Sequence, residues 1–540
     1  MLGDSSLTSL PGGDSAPKLI LVIVADQLRA DHVGFGGLDF GHTPHLDALA
    51  ATGTVFDRAH VTNPLCMPSR ASLATGRWPS VHGTRTNGIP LDPTAETAMR
   101  SLRRAGWFTA AIGKLHLQTM GWDAEDFQLA EIAATNPQTN DGALLDARGS
   151  ELGHRYDWEY LARHRGERVE MPDDYYGFAS TELVVGHGDR ASGHYHHWVR
   201  DQGFDPGPVG GHDASARPGE TWNEVWQSAV PLEFSTSRYV AERTVAQIEA
   251  AAMRPGPTFL FASFPDPHHP FCPPASHADR VDPRDIELPA TFHQSPEGLP
   301  PHLRHMLAQR GVPHADAMCA FAATEAQYRE ALIAEVGLIA MIDEAVGEMM
   351  AAIERAGLAD QTSVIFTADH GDLFGDHGLV LKHHVHYRSA TRVPLVIAGA
   401  GSQPQRSDAL VSNADVVPTI LDLAAVQPFR GIQGRSVQPI LAGEIATHRD
   451  AVLVEEDQPF GVDGLQAPVR MRTLITDEGR MTRYHGESFG ELYLSTDDPD
   501  EEHNRFADPT VDAVERGFRD RLFDEMLTLA DEGARMFHGA

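Results

Sequence analysis

Lysine is nearly absent from this chain. Lys18, Lys114 and Lys382 are the only three, so arginine supplies almost all of the 43 basic side chains. The 76 acidic residues give a formal net charge of −33, which leaves no basic surface to neutralise the phosphates of a nucleic acid. The sequence therefore argues against a nucleic-acid partner, although a small anion can still bind where the local field is positive.

Cysteine is also scarce, with Cys66, Cys272 and Cys319 alone. Three cysteines in 540 residues do not make a disulfide framework. The N-terminus lacks a basic region, and the first strong apolar run, Leu19 to Val24, is too short for a signal segment or a membrane span. We therefore expect a cytoplasmic protein without a membrane partner.

The remaining composition is that of a globular chain long enough to bury a large core. Residues 1–16 are rich in Gly, Ser and Asp and predict a flexible N-terminus. Alternating strand-like and helix-like segments over 17–445 predict an α/β domain whose large, mostly parallel central sheet is flanked by helices. An aromatic-rich insertion at about 120–235 interrupts this alternation, and 446–540 reads as a smaller C-terminal α+β subdomain.

Polar side chains follow three of the predicted strands. Asp26 ends the first aliphatic run, Lys114 and His116 follow the second strand, and Asp369 and His370 follow a later one. If that segment stays extended, Lys114 and His116 share a face. One such ending alone would be interpreted as a cap or a turn. Because ligands gather at the carboxyl ends of parallel strands, three at one edge indicate an active site.

A short stretch around Cys66 predicts an anion site at a helix N-terminus. Pro68 suits the first turn of a helix, so Cys66 would lie where free backbone N–H groups favour an anion. Arg70 follows one turn later and could fork onto the oxygens of a tetrahedral anion. For an isolated Cys-Pro pair, a structural cysteine ahead of an amphipathic helix is the alternative.

Asp26, Asp369 and His370 together offer hard oxygens and one imidazole. Ligands of this kind favour Ca²⁺ or Mg²⁺, and the imidazole is compatible with Mn²⁺. Such an ion would neutralise a substrate oxyanion and favour a deprotonated nucleophile. An enzyme with a plain cysteine nucleophile would need a base but would have no use for a hard cation.

Further charged and titratable residues would complete this chemistry. Lys114, Lys382 and Arg70 add positive charge for a transition state that gathers negative charge on oxygen. His116 and His268 are candidates for general base and general acid, since imidazole titrates near neutrality. Prolines flank the segment that carries His268, which predicts an extended and exposed geometry for it.

Taken together, these motifs resemble those of the type I, formylglycine-dependent sulfatases of the alkaline phosphatase superfamily. The spacing Cys66-x-Pro68-Ser69-Arg70 is the most specific element of the resemblance. The other matching segments are Val24-Ala25-Asp26-Gln27, Thr43-Pro44-His45-Leu46-Asp47, Gly113-Lys114-x-His116, Pro267-His268-x-Pro270, Ala368-Asp369-His370-Gly371-Asp372, Lys382 with Tyr387 and Arg392-Val393-Pro394, and Glu491-Leu492-Tyr493 with Asp498-Pro499 and Glu502-x-Asn504.

The resemblance implies that a formylglycine-generating enzyme oxidises Cys66 to formylglycine, whose hydrate is the nucleophile on one divalent metal ion. Asp26, Gln27, Asp369 and His370 would hold that ion together with residue 66. Calcium is the first expectation, with magnesium or manganese as alternatives. Many relatives carry a second Asp where Gln27 stands, which leaves the ligand count open.

The resemblance also implies roles for the neighbouring residues. One hydroxyl of the hydrate attacks sulfur while a protonated His268 or Lys382 assists departure of the alcohol. His116 then deprotonates the second hydroxyl, which expels sulfate and regenerates the aldehyde. The implied enzyme is a sulfuric ester hydrolase, similar to arylsulfatase or choline sulfatase, that acts on a small-molecule sulfate ester.

Two alternatives remain at this point. A phosphonate monoester or phosphodiester hydrolase of the same superfamily suits the Asp26-Gln27 pair, whereas Lys114 and His116 favour sulfate esters. A non-catalytic homologue that binds a metal and an anion is the second. The natural ester (aryl, choline or carbohydrate) is open; aromatics of the insertion could surround a quaternary ammonium. The oligomeric state is open too, with a homo-oligomer as one alternative.

Overall fold

A computed structural model gives the fold of this 540-residue chain. The residues it describes are 16–121, 156–164, 166, 168–207, 209–313 and 319–534. Most of the N-terminal segment predicted to be flexible, and 122–155 of the aromatic-rich insertion, lie outside these ranges.

Seventeen strands are present in the described residues. In chain order they are β1 (Leu19–Ala25), β2 (Gly53–His60), β3 (Phe108–Gly113), β4 (Ser180–Val185), β5 (Ser192–Gly193), β6 (Arg217–Pro218), β7 (Trp226–Gln227), β8 (Thr258–Ser263), β9 (Phe321–Ala322), β10 (Thr362–Ala368), β11 (Leu379–Val380), β12 (Leu395–Gly399), β13 (Gln405–Ser412), β14 (Ala451–Gln458), β15 (Val469–Thr476), β16 (Gly479–Tyr484) and β17 (Gly490–Leu494).

Nine of these strands form one central sheet in the order β13-β2-β12-β10-β1-β8-β3-β4-β5. The pairs β10–β12, β12–β2 and β4–β5 are antiparallel, and the other neighbours run parallel. All seven residues of β1 are buried, as a strand covered on both faces requires. The predicted α/β class with a mostly parallel central sheet is confirmed.

Helices flank the sheet. The α-helices of the described residues, in chain order, are α1 (Pro44–Thr52), α2 (Cys66–Thr75), α3 (Pro79–His82), α4 (Ala98–Arg104), α5 (His194–Asp201), α6 (Thr236–Met253), α7 (Pro301–Ala308), α8 (Glu325–Arg355), α9 (Arg388–Thr391), α10 (Val416–Leu423), α11 (Gln438–Leu441) and α12 (Asp512–Thr528).

Local sequence signals explain where several helices begin and end. Pro44 occupies the first turn of α1, where its missing N–H costs nothing. The apolar periodicity of the sequence predicts a long helix over about 317–357. Thr324 and Gln327 form a capping box, so α8 begins at residue 325 instead. Gly76 ends α2 in a left-handed conformation with φ 66°.

The C-terminal part of the chain forms a second, four-stranded antiparallel sheet in the order β14-β15-β16-β17. Helix α12 covers it, and Phe518 and Leu522 of that helix share a buried cluster with Leu453, Leu474 and Met481. The predicted smaller α+β unit is therefore present, and the exact boundary at 445/446 stays a prediction.

The insertion at about 120–235 contributes to the central sheet, which the sequence did not predict. Strand β4 pairs in parallel with β3, and β5 pairs with β4 to form the sheet edge. Tyr175, Tyr176 and Tyr195 are buried in the main core instead of forming a small core of their own. Within the described residues, no helix combines the length and apolarity needed to cross a membrane.

Candidate active site

Four neighbouring strands deliver the candidate residues to one edge of the sheet. The order β10-β1-β8-β3 places the residues after Ala368, Ala25, Ser263 and Gly113 side by side. Asp369, Asp26 and Lys114 follow three of these ends directly. The predicted convergence at the carboxyl edge of a parallel sheet is confirmed.

Asp26, Cys66, Asp369 and His370 form a compact, fully buried group. One potential ligand atom from each lies within 4.8 Å of the others, and no second group of this kind occurs among the described residues. Burial alone would raise the pKa of Asp26, but the Lys114 ammonium holds it well below its usual range. Two buried carboxylates this close together favour a cation between them.

The orientation of His370 suits a metal ligand. Its Nδ1–H donates to the Gly371 carbonyl oxygen at 2.8 Å, which leaves the Nε2 lone pair on the side of the group, 3.1 Å from Cys66 Sγ. Burial lowers the pKa of His370 to about 4, so the ring is neutral near pH 7. A backbone carbonyl that fixes the tautomer in this way is typical around metal-binding histidines.

Gln27 lies beside this group in a left-handed conformation with φ 60°. Its backbone N–H donates to Asp369 Oδ1 at 3.0 Å, and its side-chain Nε2 donates to Asp372 Oδ2 at 2.5 Å. Its side-chain oxygen accepts from Lys382 Nζ at 2.6 Å. Gln27 therefore links the carboxylates to Lys382, and its role as a metal ligand stays a prediction.

Cys66 is the first residue of α2, as predicted from Pro68. Burial, followed by the nearby Asp26 carboxylate, raises the pKa of the Cys66 thiol. Lys382 Nζ lies 3.4 Å from Sγ. The backbone N–H of Met67 donates to Asn87 Oδ1 at 3.1 Å, which anchors this turn.

Arg70 is buried, and most of its guanidinium group already forms hydrogen bonds within the site, which the sequence did not indicate. Its Nε donates to Asp369 Oδ2 at 2.7 Å, and its Nη1 donates to the Lys114 carbonyl oxygen and to Ser263 Oγ, both at 2.8 Å. Nη2 lies 3.5 Å from Asp26 Oδ2 and has no hydrogen-bond partner. One amino group of the guanidinium, and not a whole fork, is thus available for an anion.

His187 belongs to the site and was missed by sequence reasoning. It follows β4, and its Nε2 accepts from Lys114 Nζ at 2.6 Å, while Lys114 Nζ also contacts Asp26 Oδ2. Its ring stacks on His268 with centroids 3.9 Å apart and planes 14° apart. The available signal was a histidine between two glycines directly after a strand, hidden in the insertion.

His116 and His268 reach the site in geometries that correct the sequence predictions. His116 has φ 52°, so the segment with Lys114 is not extended as predicted. His268 is buried and not exposed, and its ring stacks on the rings of His187 and His269. His116 Nδ1 and His268 Nε2 are buried without a hydrogen-bond partner. Burial lowers the pKa of both rings well below the usual range.

Comparison with known families agrees with this geometry. A model of the sulfatase family matches residues 18–426, which include every site residue described above. The chain belongs to the sulfatase family. A second model, described as the C-terminal part of N-sulphoglucosamine sulphohydrolase, matches residues 375–527 of this sulfatase-family chain.

Individual relatives of this sulfatase-family chain are distant but cover most of its length. It is 29% identical to the multifunctional alkaline phosphatase superfamily protein PehA of Trinickia caryophylli, over 95% of this chain and 96% of the relative. It is 27% identical to a choline-sulfatase of Rhizobium meliloti, over 81% and 73% of the two chains. The structure of a phosphonate monoester hydrolase of Agrobacterium radiobacter superposes with a TM-score of 0.75 at 24% identity, over 96% and 97% of the chains, which shows the shared fold.

Proposed function

We propose that this protein is a sulfatase that hydrolyses a sulfate monoester to an alcohol and inorganic sulfate. The observation that carries the proposal is the buried group of Asp26, Cys66, Asp369 and His370, with Lys114 and Lys382 against it. A hard-cation site, a residue at a helix N-terminus and buried ammonium groups at one point suit the transfer of an anionic ester group. Family membership supports the same reaction class.

The donor set of this group fits one divalent cation. Asp26, Asp369 and His370 would hold it together with residue 66. The cation and Lys382 would compete for the side-chain oxygen of Gln27. The cation would supply positive charge that stabilises the sulfate oxygens and favours a deprotonated nucleophile. Two carboxylates favour calcium, and the single imidazole is also compatible with manganese.

Formylglycine at position 66 would supply an oxygen nucleophile after oxidation of the Cys66 side chain by a formylglycine-generating enzyme. The protein places that side chain at the first turn of α2, under Lys382 Nζ at 3.4 Å and His370 Nε2 at 3.1 Å. These two nitrogens orient the substituents on the Cβ atom of residue 66.

Three nitrogens are suited to bind and protonate the ester. Arg70 Nη2 is a buried donor without a hydrogen-bond partner, so a sulfate oxygen would satisfy it. His268 donates through Nδ1 to the His269 carbonyl oxygen, so its Nε2 is an open acceptor that would pass a proton to the leaving oxygen only after taking one up, and the Lys382 ammonium is the alternative acid. His116 Nδ1 is an open acceptor for the proton that is released when sulfate leaves.

A phosphonate monoester or phosphodiester hydrolase is the second candidate, favoured by Gln27 beside Asp26 and by the likeness to a multifunctional relative. Lys114 and His116 favour sulfate because this Lys-x-His pair is typical of the sulfatases that the chain resembles. Aryl sulfate and aryl phosphonate monoester with the same leaving group should be compared on one preparation. We expect faster sulfate turnover; faster phosphonate turnover would reverse the assignment.

A non-catalytic homologue would turn over neither ester, and that result would favour simple metal and anion binding. The likeness to a choline-sulfatase makes choline sulfate the first natural ester to assay, followed by carbohydrate sulfates. The cytoplasmic location and the possible homo-oligomer remain predictions.

A further inference from the structure

Glu159 is a buried carboxylate that sequence reasoning did not identify. It lies in the described part of the insertion, and its side chain is fully buried. Within the described residues its hydrogen-bond partners are three backbone N–H groups and one tyrosine hydroxyl, and none of them is a basic side chain. A buried carboxylate without a cation is costly, so its hydrogen bonds must compensate.

In the part of the chain that the structure describes, four donors converge on Glu159. Oε2 accepts from the backbone N–H of His116, and Oε1 accepts from the N–H groups of Leu117 at 2.9 Å and Gln118 at 3.0 Å. The hydroxyl of Tyr175 donates to Oε1 at 2.7 Å. Burial raises the pKa of Glu159, and these four hydrogen bonds oppose the rise. Three successive backbone N–H groups around one anion form a nest.

The nest fixes the backbone that carries His116. The chain leaves β3 at Gly113, passes Lys114, and turns through the left-handed φ of 52° at His116. A non-glycine residue with a left-handed backbone persists where surrounding contacts hold it. The link is reciprocal, because the N–H of Trp158 donates to Gln118 Oε1 at 3.0 Å. Hydrogen bonds in both directions therefore connect the insertion to the loop that carries His116.

We propose that Glu159 is a positioning residue that holds His116 for proton transfer. The proposal rests on the proposed function of His116, and Glu159 itself does not touch the ester. The insertion would thus contribute to proton transfer by holding His116 in place.

The test is a double-mutant cycle with Glu159→Gln and His116→Ala. Glutamine keeps the size of the side chain but turns an N–H₂ group toward backbone donors, so at least one of the three loses its acceptor. We expect E159Q to lower kcat by about tenfold or more with KM within about threefold, because His116 is displaced while the anion contacts remain. In the H116A background, E159Q should change kcat by less than about twofold.

Glu491→Gln is the matched control. Glu491 is also buried and accepts from a tyrosine hydroxyl, that of Tyr484, but it lies in the C-terminal sheet. We expect E491Q to lower the melting temperature and to change kcat by the same factor in the wild-type and H116A backgrounds.

An unchanged kcat in E159Q, or an equal loss with and without His116, would overturn the proposal. If E159Q does not fold, Glu159→Asp keeps the charge with a shorter reach and should show a smaller, equally non-additive loss.

Amide hydrogen exchange separates this proposal from the proposed function. We expect the N–H groups of residues 116–118 to exchange slowly in the wild-type protein and faster in E159Q. Unchanged exchange would refute the positioning role even in an active enzyme. Absence of sulfate turnover in the wild type would refute the proposed function and leave the exchange result to judge Glu159.

Discussion

At the scale of single residues, two of the three lysines lie in the candidate active site. Lys382 Nζ contacts Gln27 Oε1, His370 Nε2 and Cys66 Sγ at 2.6, 2.9 and 3.4 Å. Lys114 Nζ lies between Asp26 and His187. Lys18 lies directly before β1, away from these residues, and its Nζ donates to the Ala252 carbonyl oxygen at 3.2 Å. This contrast provides an internal control.

Lys382→Ala should lower kcat/KM for an aryl sulfate by about 100-fold or more, because a buried donor aimed at developing charge is lost. Lys18→Ala should change it by less than about twofold, as a substitution away from the site. Steady-state kinetics on both variants checks this. Equal losses, or an active K382A, would contradict the role given to Lys382.

His187→Ala should lower kcat/KM by about tenfold, since it removes the acceptor of Lys114 and the ring that stacks on His268. His187→Gln, which can keep the hydrogen bond to Lys114, should recover part of that loss. His212→Ala is the control, because His212 contacts Asp213 and Trp226. Wild-type kinetics in H187A would remove His187 from the site.

Residues that follow predicted strands could be read from the sequence, as Asp26, Asp369 and Lys114 show. His187 could not, because its strand lies in a segment without visible alternation. Glu159 was equally hidden, since three of its four partners in the described residues are backbone N–H groups that carry no side-chain signature.

At the scale of elements, the end of β3 tolerates little change. Gly113 has φ 103°, and a Cβ atom there would lie 1.8 Å from the Ser263 carbonyl oxygen of β8. Gly106, just before β3, has φ 89°, but a Cβ atom there would meet nothing within 4 Å. Close approach of two strand ends thus brings Lys114 to the site.

Gly113→Ala should therefore destabilise the protein more than Gly106→Ala. The latter carries only the cost of the positive φ, about 1 kcal/mol, whereas the former adds a backbone clash of about 2 kcal/mol or more. Chemical denaturation of both variants measures the difference. A G113A variant as stable as G106A would show that β3 and β8 can separate.

Helix α1 depends on a carboxylate from another helix. Asp343 of α8 accepts from the backbone N–H groups of His45 and Leu46 at 2.9 and 2.7 Å. Burial raises its pKa from 3.8 to about 6. Because the folded-state pKa exceeds the unfolded value, the folded protein binds more protons than the unfolded chain between about pH 4 and pH 6. The free energy of unfolding therefore falls as the pH rises through this range.

Asp343→Asn keeps the acceptor oxygen and does not titrate. We expect the free energy of unfolding of the wild type, relative to D343N, to rise by about 2 kcal/mol as the pH falls from about 7 to about 4.5. Denaturation curves of both proteins across that range measure the difference. A difference that stays constant, or that falls at low pH, would contradict the raised pKa.

The sequence predicted most elements near their observed positions, because apolar periodicity and capping residues are local. It placed the start of α8 too early, since the capping box at Thr324 and Gln327 competes with an apolar pattern that begins before it. It also missed β16, a short strand whose pairing with β15 and β17 depends on distant partners.

At the scale of the whole molecule, the second sheet supports the active-site turn. The backbone N–H of Glu455 in β14 donates to the Thr62 carbonyl oxygen at 2.8 Å, and its side chain accepts from the N–H of Ser80 at the same distance. Asn63 Nδ2 donates to the Glu455 carbonyl oxygen at 2.5 Å. The fold class could be predicted from the sequence, whereas this support depends on packing between distant segments.

Bound metal should stabilise the folded protein, since it would add positive charge beside the buried carboxylates of Asp26 and Asp369. We expect EDTA to lower both the melting temperature and sulfate turnover, and excess Ca²⁺ to restore both. An ion at 100 times its dissociation constant contributes about 2.7 kcal/mol. Asp369→Asn should shrink the EDTA effect, whereas Asp360→Asn at an exposed position should not. Insensitivity of the wild type to EDTA would contradict the metal site.

The chemical state of residue 66 tests the central claim most directly. The protein should be produced with a formylglycine-generating enzyme, and the peptide that contains residue 66 should be examined by mass spectrometry alongside sulfate turnover. We predict an aldehyde in place of the Cys66 thiol, with turnover proportional to the modified fraction and absent in Cys66→Ala. Full turnover by a preparation whose residue 66 is entirely an unmodified thiol would contradict the account.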